Sequence, residues 1–155
     1  GLGDVYKVQV QDLADVVEDD RNLGATIASG SFQHDGMVIV PASMKTVAAI
    51  SVGLADNLIA RAADVTLKEH RPLLIVPRES PFNQIHLENM LKLAKMGVEI
   101  IPPIPAFYNN PKTIDDLINH NTMKLLDHLQ ISNDFQGRWQ GLNEAKAAAK
   151  RGGNE

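Results

Sequence analysis

Two hydroxyl groups and a lysine stand together in the segment Pro41–Thr46. Ser43, Lys45 and Thr46 follow a short apolar run and come at the start of a predicted helix. The free backbone N–H groups and the positive dipole end of a helix favour a bound phosphate at such a position. An ordinary N-cap formed by Ser43 explains the same pattern and is the simpler interpretation of this segment alone.

An arginine and a glutamate follow the second apolar run, held between Pro77 and Pro81. The two prolines restrict the backbone around Arg78 and Glu79. A rigid carboxylate beside a cation suits proton transfer or phosphate chemistry. A surface ion pair between the two side chains is an equally good interpretation, and such pairs are weak evidence of function.

Two aromatic side chains follow the third apolar run, in the proline-rich segment Pro102–Tyr108. The prolines stiffen this segment, so that Phe107 and Tyr108 are presented at one place. Because the carboxyl ends of parallel strands share one edge of a sheet, we expect this segment, Ser43 and Arg78 to lie at the same edge. Packing of the two rings at a subunit contact explains the segment almost as well.

Further cations lie on predicted helices. Arg61, Asp64 and Lys68 are spaced i, i+3, i+7 and share one polar helix face, for which solvated charge is the default interpretation. Lys124 comes seven residues after Leu117 and therefore lies near the apolar side of its helix, where an unpaired ammonium is costly. We expect the Lys124 side chain either to extend to solvent or to meet an anion.

The sequence contains no pattern typical of a metal centre or of a nucleotide-binding loop. The five histidines show no H-x-H, H-x-x-x-H or H-E-x-x-H spacing, so that no catalytic metal is expected. No G-x-G-x-x-G, Walker A or G-x-S-x-G motif is present. Asp115 and Asp116 form a carboxylate pair, but acidic residues in the first turn of a helix are the simpler explanation.

Three short apolar runs predict the strands that position these residues: Met37–Val40, Leu73–Val76 and Val98–Ile101. Each run ends at a proline, and runs without regular alternation are typical of strands buried on both faces. Helical spacing between the runs indicates the order strand, helices, strand, helix, strand. We therefore predict an α/β fold, a Rossmann-like or flavodoxin-like parallel sheet with helices on both faces, in a single domain.

The predicted helices rest on apolar residues at helical spacing. These residues are Val10, Leu13 and Val17; Val47, Ile50 and Leu54; Leu58, Ala62 and Val65; and Leu87, Met90, Leu91 and Ala94. Gly97 follows the last group where a glycine commonly ends a helix. Thr113 predicts the N-cap of a further helix that reaches about Leu129, and a last helix is expected over Leu142–Lys150 within a C-terminal tail, residues 142–155.

Composition limits the class of protein. A chain of 155 residues with 44% hydrophobic content supports one domain with a real core, which excludes a disordered or fibrous protein. A net charge of -4 without a basic stripe argues against nucleic acid or a membrane surface as partner. No apolar run is long enough for a transmembrane helix, and residues 1–4 lack the features of a signal peptide. The absence of cysteine excludes disulfides and is compatible with a cytoplasmic protein.

Nine short motifs follow one another along the chain. They are Ser29–Phe32, Gly36–Met37, Pro41–Thr46, Ala60–Val65, Leu67–Glu69, Pro77–Pro81, His86–Met90, Pro105–Tyr108 and Arg138–Gly141. In this order they closely resemble the UbiX/Pad-type flavin prenyltransferases, over roughly Leu13 to Gly141. That family also includes proteins named as one of the subunits of hydroxyarylic acid decarboxylases, and it belongs to a wider group of flavin-containing cysteine decarboxylases.

The resemblance implies a metal-independent transferase that joins a dimethylallyl group from dimethylallyl phosphate to reduced FMN. In such enzymes the prenyl phosphate ionises towards an allylic cation, and bonds form to flavin N5 and then to C6. The product, prenylated FMN, is used by a UbiD-type decarboxylase, which is therefore an expected partner. The resemblance also implies a homo-oligomer, in this family often a dodecamer, with active sites between subunits.

The matching motifs give residues of this chain expected roles. The expected FMN contacts are Ser43, Met44, Lys45, Thr46 and Arg78. The expected ligands of the prenyl phosphate are Lys68, Tyr108 and Lys124. The expected catalytic residues are Glu79, as acid or base near the leaving group, together with Lys68 and Arg61 in a supporting role.

The chain departs from the family pattern in two ways. The family begins with a strand, a glycine- and serine-rich loop that holds the flavin phosphate, and a second strand, and this N-terminal βα unit has no counterpart in the sequence. The family has arginine at the position of Lys124, where lysine keeps the charge but gives up bidentate phosphate geometry. Ala42 in place of a common cysteine and Ser80 in place of threonine are milder changes.

Two alternatives to prenyl transfer stay open. In the first, the protein acts as one component of a non-oxidative hydroxyarylic acid decarboxylase complex and carries no prenyl transfer of its own. In the second, it is a truncated paralogue that assembles but performs no chemistry. Incubation of the purified protein alone with reduced FMN and the prenyl donor separates prenyl transfer from the first alternative.

Overall fold

The structure, a computed structural model, describes residues 2–135, with side chains from residue 7 onward. The chain divides into two units, Gly1–Ile100 and Ile101–Glu155. The motif Arg138–Gly141, the helix expected over Leu142–Lys150 and the tail 142–155 lie outside the described residues.

A three-stranded parallel sheet forms the centre of the first unit. Its strands are β1 (Met37–Ala42), β2 (Leu73–Pro77) and β3 (Glu99–Ile100), paired in the order β1-β2-β3. All residues of β2 are buried, as expected for a strand that is covered on both faces. The predicted α/β fold with parallel strands is confirmed. β3 is shorter than predicted, because the two prolines that follow it have no N–H group to extend the pairing.

Four α-helices belong to the described part of the first unit: α1 (Leu2–Gln11), α2 (Met44–Ser51), α3 (Leu58–Lys68) and α4 (Gln84–Lys95). α2 and α3 lie between β1 and β2 along the chain, and α4 lies between β2 and β3. The side chains of three N-cap residues accept backbone N–H groups at the starts of α2, α3 and α4. These residues are Ser43, Asn57 and Asn83.

The core of the first unit joins the sheet to α2, α3 and α4. Ile39 and Ile75 of the strands are buried in one cluster with Ile50 of α2, Ala63 of α3 and Leu93 of α4. Burial of one large aliphatic side chain stabilises a fold by about 1.5–3 kcal/mol. This core fixes the direction of each strand and helix, and therefore the edge of the sheet at which each functional side chain lies.

Two helices end earlier than their apolar spacing predicts. α1 ends before Leu13 and Val17, and the prediction of a helix through these residues is wrong. Leu13 is 88% exposed, so that its side chain gains little from burial that could stabilise a longer helix. Leu54 lies beyond α2, because the chain turns at Gly53, whose φ is +70°. The end of α4 is as predicted, with Gly97 at φ +89°.

α4 buries a different side from the one predicted. Of its four predicted apolar residues only Met90 is buried, and Leu93 is buried in place of the others. A hydrogen bond from Ser51 Oγ to Asn89 Oδ1, 3.0 Å long, joins α2 to α4. Met90 and Leu93 pack in the core of the first unit, so the side that α4 buries is not determined by hydrophobic spacing alone.

The second unit, described for residues 101–135, contains a 3₁₀ turn (Phe107–Asn109) and α5 (Ile114–His128). Thr113 caps α5, as predicted: its Oγ1 accepts the Asp116 N–H at 3.1 Å, and Asp116 Oδ2 accepts the Thr113 N–H at 2.9 Å. This capping box gives Asp116 a structural role. No helix within residues 2–135 is long and apolar enough to cross a membrane.

Candidate active site

The ends of β1 and β2 bring Ser43 and Arg78 to one edge of the sheet. Ala42 and Pro77 are partners in the parallel register, so that the residues that follow them are neighbours. The Arg78 N–H donates to the Ala42 carbonyl oxygen at 3.2 Å. The segments 43–46 and 78–79 therefore meet at the carboxyl edge, as the predicted topology requires, and are called the strand-end cluster below.

Ser43 forms the predicted cap of α2. Its Oγ accepts the Thr46 N–H at 3.2 Å and lies 3.1 Å from Thr46 Oγ1. The N–H groups of Met44 and Lys45 come earlier in the same turn, where helix geometry gives them no partner within the helix. The cap thus satisfies one N–H group and leaves two that point outward beside the exposed Lys45 side chain. Capping and anion binding are compatible at this helix start.

Arg78 and Glu79 lie directly beyond β2, and both are exposed. Glu79 Oε1 accepts the Ser80 N–H at 3.1 Å. Among the ion pairs of the described residues there is none between Arg78 and Glu79. The interpretation of this pair as a surface ion pair is therefore not supported, and both charged groups are open to a ligand.

The donors of the strand-end cluster suit an anionic cofactor. The hydroxyl groups of Ser43 and Thr46, the outward N–H groups of α2 and the cations of Lys45 and Arg78 are all hydrogen-bond donors, as phosphate oxygens require. Within residues 2–135 no group of three or more His, Asp or Glu side chains is placed to hold a metal ion. The donors of the strand-end cluster can bind a phosphate group directly.

Arg61 and Lys68, on α3, form weak pairs on the helix surface. Arg61 Nη1 lies 3.7 Å from Asp64 Oδ2, and Lys68 Nζ lies 3.4 Å from Glu69 Oε1. The Lys68 side chain is 61% exposed. Exposed pairs of this kind contribute about 0–1 kcal/mol, so that a phosphate can readily replace either carboxylate.

The end of α3 lies at the opposite edge of the sheet from Ser43. Thr66, two residues before Lys68, has its Oγ1 3.6 Å from the Sδ of Met37, the first residue of β1. Ser43 follows the other end of β1, and a strand of this length spans roughly 16 Å. One chain therefore does not bring Lys68 together with the strand-end cluster.

Tyr108 and Lys124 both belong to the second unit and are exposed. The buried side of α5 runs through His120 and Met123, and Leu117 is only half-buried. Lys124, four residues after the buried His120, borders this side of α5, and its exposed side chain extends to solvent, which is one of the two expected outcomes. Because the ammonium group is exposed, it does not need a bound anion to offset a cost of burial. The expectation that Lys124 binds an anion therefore depends on its position in the family motif alone.

Two polar residues with evident structural roles escaped the sequence patterns. The Arg71 guanidinium donates to the carbonyl oxygens of Phe32 at 2.6 Å and Gly30 at 2.9 Å, which holds this segment beside the end of α3. His120 is buried in α5. The partners of Arg71 are about forty residues away along the chain, and no local spacing indicates contacts of that kind.

A cavity of about 180 Å³ lies between α3 and the start of β1. Its lining is mainly apolar, and its polar members are His34 and Thr66. The Thr66 hydroxyl already donates to the Ala62 carbonyl oxygen at 2.7 Å. Within residues 2–135, no lysine or arginine lines this cavity. This part of the lining therefore lacks the cations that favour a phosphate.

Comparisons with known proteins agree with the motif pattern. A family model described as Flavoprotein matches residues 4–126 and so spans both units. Flavin prenyltransferase LpdB from Lactiplantibacillus plantarum is 62% identical over 138 residues, which are 89% of this chain and 74% of LpdB.

Two solved structures resemble this one closely. The dodecameric FMN-dependent UbiX-like decarboxylase from Escherichia coli O157:H7 has a TM-score of 0.82 and 52% identity, over 86% of this chain and 72% of that one. AnUbiX (PadA1), in complex with FMN and dimethylallyl pyrophosphate, has a TM-score of 0.83 and 47% identity, over 86% of this chain and 71% of that one. The chain belongs to the flavoprotein family and, within it, to the UbiX-like flavin prenyltransferases.

Proposed function

We propose that this protein transfers a dimethylallyl group from dimethylallyl phosphate to reduced FMN, and so makes prenylated FMN for a UbiD-type decarboxylase. The observation that carries the proposal is the 62% identity to a flavin prenyltransferase over 89% of the chain. A structure with a TM-score of 0.83 that holds FMN and a dimethylallyl donor supports it. We place the reaction in the cytoplasm, with which a chain without cysteine is compatible.

The strand-end cluster is the proposed FMN site. Its hydroxyl groups, its outward N–H groups and the cations of Lys45 and Arg78 are a donor set that fits the phosphate and carbonyl oxygens of FMN. Ser43, Met44 and Thr46 complete the proposed contacts. Bound reduced FMN would supply the nucleophilic nitrogen that accepts the dimethylallyl group.

Lys68, Tyr108 and Lys124 are the proposed ligands of the donor phosphate. When the carbon–oxygen bond of the donor breaks, the electron pair leaves with the phosphate, whose added charge needs stabilisation. Two ammonium groups and a phenol hydroxyl supply three donors for this purpose. Arg61 adds positive charge on the same helix as Lys68, and its weak pair with Asp64 leaves it available.

Glu79 is the proposed acid or base at the leaving phosphate. Its carboxylate is exposed and accepts the neighbouring Ser80 N–H at one oxygen, which leaves the other oxygen for proton transfer. The adjacent Arg78 stands at the proposed FMN site, so that Glu79 lies next to the reacting groups.

The geometry also supports an active centre that is shared between copies of the chain. Lys68 and the strand-end cluster lie at opposite edges of the sheet, so that one copy does not present both to one pair of substrates. We therefore place Lys68 of one subunit beside the strand-end cluster of another in a homo-oligomer. The dodecameric relative from Escherichia coli supports this assembly.

The test is prenyl transfer by the purified protein alone. The protein is incubated without oxygen with reduced FMN and dimethylallyl phosphate, and the flavin is then analysed by mass spectrometry. We expect a gain of one isoprene unit, and we expect this gain to be lost in Arg78→Ala.

A second function has support from the description of the Escherichia coli relative as a decarboxylase. A parallel sample of the purified protein therefore receives FMN and a hydroxybenzoic acid, and carbon dioxide release is measured. Release without any change in flavin mass would contradict prenyl transfer and favour the decarboxylase. Neither product from a folded, FMN-binding protein would favour a non-catalytic paralogue.

A further inference from the structure

A buried histidine lies beneath the exposed Tyr108 in the second unit. His120, in α5, is 8% exposed, whereas Tyr108 is 67% exposed. The centroids of the two rings are 6.2 Å apart and their planes make an angle of 86°. This edge-to-face contact restricts the directions in which the phenol ring can point.

His120 also contacts the residue after Tyr108. The side-chain amide nitrogen of Asn109 lies 3.1 Å from His120 Nδ1. An imidazole whose Nδ1 accepts this N–H carries its hydrogen on Nε2. Two consecutive residues of the 3₁₀ turn are therefore held by one side chain, by ring contact and by hydrogen bond. An apolar residue could fill the same space but could not accept the Asn109 N–H.

The turn that carries Tyr108 is fixed at its base and exposed at its tip. Ala106 at the base is buried, and its carbonyl oxygen accepts the Asn109 N–H at 3.3 Å. The Asn110 N–H donates to the Phe107 carbonyl oxygen at 3.1 Å, and Asn110 has the left-handed φ of +55° that asparagine tolerates. The backbone of the turn is thus closed, and the contact with His120 restricts the direction of its exposed tyrosine.

Lys124 lies one helical turn beyond His120. Residues four apart on a helix are neighbours on one face, with about 5–6 Å between their Cβ atoms. His120 therefore contacts Tyr108 and lies on the same face of α5 as Lys124. Tyr108 and Lys124 are both proposed hydrogen-bond donors to the prenyl phosphate. Of these two residues, His120 contacts Tyr108, which lies in the 3₁₀ turn.

We propose that His120 is a positioning residue, which holds the Tyr108 hydroxyl where it donates to the phosphate of the prenyl donor. The proposal rests on the proposed function, because Tyr108 is a phosphate ligand only there. It adds a buried group that itself touches no substrate and that acts through Tyr108.

Two substitutions separate the contacts of His120. His120→Phe keeps a ring beside Tyr108 and removes the acceptor for Asn109, whereas His120→Asn keeps an oxygen acceptor near the Nδ1 position and removes the ring. We expect His120→Phe to raise the donor KM about tenfold while kcat and FMN affinity change less than about twofold. His120→Asn should recover part of the loss. His128→Phe, an exposed histidine of the same helix, is the matched control and should leave the donor KM unchanged.

A double-mutant cycle decides whether His120 acts through Tyr108. Tyr108→Phe, which removes the phenol hydroxyl, should raise the donor KM by itself, and His120→Phe should add nothing in that background. Additive effects of the two substitutions would overturn the proposal for His120 but not the proposed function. A normal donor KM for folded His120→Phe, together with a raised donor KM for Tyr108→Phe, would do the same. A normal donor KM for Tyr108→Phe would refute the proposed phosphate role of Tyr108 as well.

Binding without turnover keeps the test independent of catalysis and of folding defects. Donor affinity is measured by calorimetric titration of dimethylallyl phosphate, and Tm is recorded for every variant. If His120→Phe does not fold, Asn109→Ala removes the same hydrogen bond from the loop side. The proposal then requires that Asn109→Ala lower the affinity for dimethylallyl phosphate. Wild-type affinity in folded Asn109→Ala would overturn the proposal.

Discussion

Glu79 and Lys124 are functional candidates whose side chains contribute little to the fold: Glu79 makes one local hydrogen bond, to the Ser80 N–H, and Lys124 is exposed. Both are exposed, and neither belongs to an ion pair in the part of the chain that the structure describes. Residues of this kind can be replaced with little loss of stability. Their roles can therefore be separated from folding by kinetics.

Replacement of Glu79 by glutamine should slow prenyl transfer far more than it weakens FMN binding. A group that moves a proton in the transition state typically contributes about 10²- to 10⁴-fold to the rate, and glutamine cannot exchange a proton in this way. Single-turnover rates and a flavin titration measure the two effects. A parallel loss of rate and FMN affinity would show that Glu79 is structural.

Replacement of Lys124 should act on the prenyl donor. A lysine binds phosphate as a point charge, so Lys124→Met should raise the donor KM about tenfold, and Lys124→Arg should retain or improve donor affinity. Because the side chain is exposed, Tm should stay the same in both variants. Lys95→Met, at the exposed end of α4, is the matched control. An unchanged donor KM in Lys124→Met would remove Lys124 from the site.

At the scale of elements, the hydrogen bonds at the start of α5 predict how the stability of the fold depends on pH. Backbone N–H groups of Lys112, and then of Thr113, donate to the Asp116 carboxylate and hold the pKa of Asp116 below its usual range. A carboxyl group with a lowered folded-state pKa stabilises the fold above its unfolded pKa, and this stabilisation is lost as the pH falls through the folded-state pKa.

Asp116→Ala should therefore lower the Tm at pH 7 by a few degrees. The difference from the wild type should shrink as the pH falls below about 4, the ordinary aspartate pKa that applies to the unfolded chain, and should vanish once the pH lies below the lowered folded-state pKa. Calorimetry at several pH values measures this, with Asp115→Ala from the same turn as control. A difference that does not depend on pH would contradict the capping role.

The helices show which parts of the fold can be predicted from sequence. Thr113 was a reliable signal because a capping box is a contact between residues three apart. Leu13 and Leu54 were misleading, since apolar spacing stabilises a helix only where another element covers it. His120 could not be predicted as a contact of Tyr108, because the spacing of residues along α5 does not reveal how the loop before it folds back.

At the scale of the whole molecule, the order of motifs and their positions in space carry different information. The motifs of Ser43 and Arg78 follow adjacent parallel strands, and they meet as the topology predicts. Lys68 lies between the same two motifs in the sequence, yet α3 carries it to the other edge of the sheet. Motif order alone could therefore name the proposed members of the site but could not assign them to one copy or two.

The most direct test of the account is the activity of mixed oligomers. Arg78→Ala and Lys68→Ala copies carry different affinity tags, are produced together, and are isolated as oligomers that contain both. Each variant alone should lack activity. If each centre joins the strand-end cluster of one copy to Lys68 of another, random mixing leaves about a quarter of the centres intact.

The matched control is a mixture of Arg78→Ala with Glu79→Ala copies, whose changes lie in the same cluster and which cannot restore a centre. The measured quantity is the fraction of reduced FMN that gains one isoprene unit from dimethylallyl phosphate. We predict about a quarter of wild-type transfer in the Arg78→Ala and Lys68→Ala mixture and none in the control mixture. Assembled mixed oligomers with no more activity than either variant alone would contradict an active centre shared between copies.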